Sequence, residues 1–126
     1  MVKEYVPGLG FTPLVRTSGP VDTAVPRTIG AQLLAVLRET LSNVARHAEA
    51  DAAVVETEAS TTEVTLRVTD NGVGLSAERR ESGLRNVRRR AADLGGEVRF
   101  GEEEPHGTRV EWSVPLPLVP AEDGSC

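Results

Sequence analysis

EVTLRVTDNGVGLSAERRESGLRNVRRRAADLGG, residues 63–96, changes character three times, and those changes decide the fold. Val64, Leu66 and Val68 alternate with Thr65, Arg67 and Thr69, the period of a strand with one buried face. Asp70, Asn71 and Gly72 follow, and after a strand such a triplet makes a good hairpin turn. A hairpin needs its second strand at once, but residues 75–82, LSAERRES, are polar and charged without alternation. The glycines at 72 and 74 then also suit a place where backbone approaches a ligand or flexes. Beyond them, Leu84, Val87, Ala91 and Leu94 share one face of a helix predicted over 84–94, which Gly95 and Gly96 end.

Outward from this stretch the pattern continues. Downstream, 97–101 and 108–114 read as two closing strands joined by the turn EEEPHG. Upstream, 53–59 reads as a strand. Before it, Ile29, Leu33, Val36, Leu37, Thr40, Leu41, Val44 and Ala48 recur at three- and four-residue intervals, predicting a helix from Thr28 to about Ala48 with Pro26 just ahead of it. Residues 11–16, FTPLVR, could form a short strand that Pro13 confines to an edge. The order β-α-β-β-loop-α-β-β predicts an α/β two-layer sandwich: a mixed, mostly antiparallel sheet with helices on one face. One domain, 11–118, is expected between a tail or linker at 1–10 and a C-terminal tail at 119–126.

Bulk properties narrow the function. A chain of 126 residues with 39% hydrophobic content supports one core. Its net charge of −5 leaves no footprint for coating nucleic acid, and 3% aromatic content offers no platform for stacking bases. The single cysteine, Cys126, forms no internal disulfide, which suits a reducing, cytoplasmic setting. No apolar run reaches about 18 residues, and the N-terminus has no signal-peptide pattern, so no membrane contact is expected of this stretch.

Three further stretches carry candidate chemistry beside DNGVG. In RETLSNVARHA, residues 38–48, a step of about 100° per residue places Glu39, Asn43 and His47 roughly 120°, 80° and 40° from the centre of the apolar face, on one border of it. A polar ridge beside a core is what a ligand cleft needs, although it equally describes a solvated flank. Asn is a mediocre helix former, so helix propensity does not explain Asn43. In SGLRNVRRRAADLGG, residues 82–96, Gly83 and Leu84 are expected to begin the helix, where unpaired N–H groups and the dipole favour an anion. Gly107 and Thr108 open the last strand, where a small hydroxyl could line a flat pocket. No G-x-x-x-x-G-K-[ST], strand-linked G-x-G-x-x-G, kinase H-R-D with D-F-G, or G-x-S-x-G competes with them.

Taken together and in this order, the four stretches resemble the ATPase family shared by histidine kinases, DNA gyrase, Hsp90 and MutL, over residues 28–115. RETLSNVARHA resembles the N box, DNGVG the G1 box, SGLRNVRRRAADLGG the G2 box, and GT the last box. The resemblance implies the Bergerat-type ATP-binding fold, with ATP and Mg²⁺ as ligands. It assigns Asn43 to Mg²⁺, Asp70 to the adenine amino group, Gly72 to backbone beside the adenine, and Gly74 to the hinge of an ATP lid. Gly83 and Leu84 would meet the phosphates, Thr108 would support the adenine pocket, and Arg46 and His47 match a basic pair near the phosphates. Glu39 matches the N-box acid, as a base or as a group behind the metal ligand.

The forms of the N and G2 boxes look like sensor kinases paired with NarL-type response regulators, and the opening GFTPLVRTSGPVD is similar to the actinobacterial DevS/DosT-like haem sensor kinases. The implied activity is transfer of the γ-phosphoryl group of ATP to a histidine on a separate dimerisation domain. The isolated domain would be a monomer and its parent a homodimer. Two other functions fit: a free-standing ATPase or anti-sigma-factor-like serine kinase, and a nucleotide-sensing module without catalysis. One departure concerns the lid, since only eight residues separate Gly74 from Gly83 and none is Phe.

Overall fold

A computed structural model describes residues 13–20, 24–44, 52–72, 77–102 and 107–117. Seven elements follow in order: β1 (Leu14–Ser18), α1 (Arg27–Asn43), β2 (Ala53–Ala59), β3 (Glu63–Asp70), α2 (Ala77–Asp93), β4 (Glu97–Glu102) and β5 (Thr108–Pro115). The strands form one sheet in the order β1-β2-β3-β5-β4. Only β1 pairs in parallel, with β2; the other neighbours are antiparallel. Both helices pack on one side of this mixed sheet, the α/β sandwich expected from the element order.

The alternation in each strand accounts for the layering. On β3 and β5, Val64, Leu66, Val68, Val110, Trp112 and Val114 turn inward. Ile29, Leu33, Val36, Leu37 and Leu41 of α1 and Leu84, Val87 and Ala91 of α2 close the core over them. The opposite face is polar. Arg67, at the centre of β3, donates to Glu111 at 2.7 Å and to Glu56 at 3.4 Å. Both acids are its direct cross-strand partners, so the pairs favour one register across β2, β3 and β5. These carboxylates raise the Arg67 pKa, but pairs this exposed contribute only about 0–1 kcal/mol to stability.

Two elements differ from the sequence reading, and the far end of a third lies outside the described residues. The edge strand runs from Leu14 to Ser18, two residues past its expected end at 16, with Pro13 outside it and every strand residue exposed, while 11–12 lie outside the described residues. The first helix is assigned to Arg27–Asn43 with Val44 as its C-cap; the rest of the stretch expected to be helical, 45–48, lies outside the described residues. The second helix starts at Ala77, not at Gly83. Ala, Glu and Arg dominate residues 77–81 and are strong helix formers, enough to carry the helix through Gly83 despite its cost of about 1 kcal/mol. Its end matches expectation: Gly95 has φ 76°, and the Gly96 and Gly95 N–H groups donate to Ala91 and Ala92 at 2.7 and 3.0 Å, a Schellman closure. No helix among the described residues is long and apolar enough to cross a membrane.

Candidate functional site

β3 ends on a carboxylate that the core cannot easily tolerate. Asp70 is 6% exposed, directly opposite Thr108 of β5 and Ala53 of β2. Burial holds its carboxyl above the usual carboxylate range, and backbone bonds from Gly72 and Thr108 pull it partly back. The Gly72 N–H donates to Oδ1 at 2.8 Å. A neighbouring clasp fixes the turn, because Asn71 Oδ1 accepts the Ala52 N–H at 3.0 Å while the Asn71 N–H donates to the Ala52 carbonyl at 3.2 Å.

Around Asp70 the fold forms a recess lined by Thr40, Asn43 and Val44 of the first helix and its cap, Val68, Leu84 of α2, Thr108 and Val110. Its walls are largely apolar, with a few convergent polar groups, the lining chemistry of a small-molecule site, and its volume is about 20 Å³, so a ligand base would have to open it further. Among the described residues the Thr108 hydroxyl is buried without a hydrogen-bond partner. Leaving a buried hydroxyl unpaired costs about 1–3 kcal/mol, which a ligand atom or an ordered water would recover. Thr40, also buried, is spent on its own helix, where Oγ1 donates to the Val36 carbonyl at 2.8 Å.

Of the residues singled out from sequence, Asn43, Asp70, Leu84 and Thr108 meet in this recess. Gly72 supports it through its N–H. Glu39 does not line it; its Oε1 accepts a bond from Arg90 Nε at 3.2 Å instead. Arg46, His47 and Gly74 lie outside the described residues. Gly83 lies within α2, so its N–H and that of Leu84 fall in the helical ladder rather than at a free helix start. Of the expected lid at 75–82, residues 77–82 are helical, and 75–76 are outside the description.

Two contributors escaped the sequence reading. Asn71 passed as a turn residue because its partner, Ala52, lies 19 positions upstream. Gly107 was visible only as the companion of Thr108, yet its φ is +134° and a Cβ there would run into the Asp70 carbonyl oxygen and Asn71 Cα. Gly107→Ala is therefore expected to lose about 2–4 kcal/mol, combining backbone strain with overpacking. Gly30→Ala on α1 should have the opposite sign, gaining up to about 1 kcal/mol, since among the described residues its Cβ would meet only Val25 Cγ1 at 4.0 Å. Urea unfolding of both variants checks the pair.

Residues 29–118 match the family described as histidine kinase-, DNA gyrase B-, and HSP90-like ATPase. The chain is 32% identical over 106 residues to the sensor histidine kinase LiaS of Bacillus subtilis, covering 82% of the chain and 29% of LiaS. It thus spans less than a third of that relative's length. Its structure is similar to that of the blue-light activated histidine kinase of Erythrobacter litoralis, with a TM-score of 0.65 and 25% identity, over 85% of this chain and 36% of that one. The ATP binding domain of PrrB from Mycobacterium tuberculosis shares the fold, with a TM-score of 0.62 and 22% identity, over 82% of this chain and 81% of that one.

Proposed function

The chain belongs to the histidine kinase-, DNA gyrase B- and HSP90-like ATPase family, and from that premise we propose that it binds Mg-ATP and donates the γ-phosphoryl group to a histidine on a separate dimerisation domain of a two-component sensor kinase. The observation that carries the reading is the meeting, in one apolar recess, of a buried Asp70 carboxylate and a Thr108 hydroxyl with no partner among the described residues. A carboxylate accepts the hydrogen bond that an adenine amino group donates, and a hydroxyl can serve a neighbouring ring nitrogen or a bridging water.

Asn43, on another wall of that recess, suits Mg²⁺, which takes few protein ligands and keeps waters and phosphate oxygens. Among the described residues no cluster of three His, Cys, Asp or Glu could form an all-protein metal cage, and a metal carried largely by the triphosphate needs none. When bound, the ion would supply positive charge to offset the phosphoryl charge. Asn43 would orient it, Asp70 would fix the base, and the apolar lining would limit water. A phosphate role for the Gly83 and Leu84 amides requires residues 77–82 to uncoil, since those amides are otherwise taken up in α2. Arg46 and His47 are assigned to the phosphate end, and Gly72 and Gly74 to the adenine side and lid hinge.

The domain is taken as 11–118, monomeric alone and cytoplasmic, within a homodimeric parent. The forms of its N and G2 boxes support a NarL-type response regulator downstream, and the likeness of 10–22 to the DevS/DosT-like kinases belongs to the same proposal.

The test is incubation of the chain with γ-labelled ATP and Mg²⁺, with and without the parent's histidine-bearing dimer. The chain alone should stay unlabelled, because an attacking imidazole must come in line to about 3–3.5 Å and that geometry is assigned to a docked domain. Added dimer should acquire acid-labile, base-stable label, slowly because docking is no longer intramolecular. Stoichiometric phosphohistidine on the chain alone would overturn the division of labour. Acid-stable label on a partner's serine would favour the serine kinase instead.

A further inference from the structure

We propose that Arg90 is a positioning residue that clamps α2 to α1 through Glu39 and Gln32, and that Glu39 serves the site through this clamp rather than as a base. Arg90 Nε donates to Glu39 Oε1 at 3.2 Å, and Nη1 donates to Gln32 Oε1 at 2.7 Å. Gln32 and Glu39 are seven residues apart, two turns of one helix and about 10 Å along its axis. One planar guanidinium thus straddles two turns of α1. That restricts sliding of α2 along α1 as well as its rotation, which a single ion pair would not do.

Arg90 is six positions after Leu84 on the same rigid helix, and Leu84 lines the recess with Asn43 and Asp70. Displacing α2 therefore displaces Leu84 against the nucleotide site. The clamp sits on an intermediate surface, with side-chain exposures of 28% and 29% for Arg90 and Glu39. Pairs at such exposure add little to global stability, so the consequence is geometric. Lys could not reproduce it, since a point charge on a flexible stem lacks the two-directional fork. Glu39, one helical turn before Asn43, is engaged by the guanidinium and is absent from the recess lining.

This inference rests on the nucleotide reading for its functional consequence, so the experiment separates the two. Arg90→Met, Glu39→Met, their double variant and the reversed pair Arg90→Glu with Glu39→Arg are compared with the unaltered chain. Hydrogen exchange without nucleotide reads the clamp itself, and calorimetry with Mg-ATP and with metal-free ADP reads the site. Either single change should speed amide exchange over 84–91 and weaken both nucleotides about three- to fivefold, the scale of one partly exposed pair. The double variant should be no worse than the singles, and the reversed pair should recover part of the loss.

Unchanged exchange in Arg90→Met and Glu39→Met overturns the clamp, whether or not the chain binds nucleotide. Exchange as expected in a chain that binds no nucleotide leaves the clamp standing and overturns the ATP reading. Additive losses, or a loss in Glu39→Met confined to Mg-ATP or to transfer with Arg90→Met unaffected, overturn the positioning role and return Glu39 to the metal or the chemistry. If Arg90→Met fails to fold, the reversed pair and Glu39→Met still decide between these outcomes.

Discussion

Asp70→Asn is expected to lower ATP affinity by about a hundredfold or more in a chain that stays folded. The wild-type carboxylate offers only acceptors. An Asn that keeps its oxygen on the Gly72 N–H, bonded at 2.8 Å in the native site, turns an amide donor toward the adenine amino group. Loss of a charge-assisted hydrogen bond costs about 1.5–3 kcal/mol, and opposing two donors adds to it.

Stability should move the other way, or not at all. Burial raises the folded-state pKa of Asp70 above its unfolded value, so folding favours the protonated form. Its stabilising contribution is complete below the unfolded value and is lost as pH rises through the folded one. In neutral solution the buried carboxylate is a cost that Asn does not carry. ATP binding is expected to have the opposite sign, because the proposed adenine contact needs the carboxylate. Affinity should fall as pH is lowered through the raised pKa, and Asp70→Asn should abolish that dependence. Calorimetry against pH, with thermal melts of both proteins, checks all three statements. Unchanged affinity in the folded variant would remove Asp70 from the adenine site.

Asn43→Ala is expected to cost about 10–100-fold in Mg²⁺-dependent ATP binding or transfer while changing metal-free nucleotide binding by no more than about twofold, the range typical of weakened metal coordination. Asn43 is the last residue of α1, and Ala is the better helix former, so the helix should persist. The separation of the two ligands identifies the role: a residue that merely shaped the recess would weaken both. A Mg²⁺ titration with matched nucleotide concentrations makes the measurement, and superimposable curves for variant and wild type would refute metal binding by Asn43.

Periodicity made most elements legible. Residues 63–69 alternate so regularly that β3 needed only Asp70 added, and β2, β4 and β5 fall within one residue of their expected ends. Their side chains respond to a single buried face, a local pattern written along each strand. The double glycine after Asp93 is equally local, because a positive φ at Gly95 is a property of one residue. The start of α2 was misjudged where two local signals conflicted: Gly83 suggests punctuation, whereas the charged residues before it are good helix formers.

The amino-acid sequence by itself determined that there is one α/β layer pair, which faces of its strands and helices are buried, and that Asp70 ends a strand beside a glycine turn. The tertiary structure decided that β5 lies between β3 and β4, bringing Thr108 opposite Asp70. It also set β1 in parallel against β2, left Glu39 outside the recess, and joined it to Arg90. Residues 39 and 90 are 51 positions apart, and 70 and 108 are 38 apart. No periodicity spans such distances, since a local pattern specifies which face turns inward and only packing of the assembled layers specifies what that face will meet.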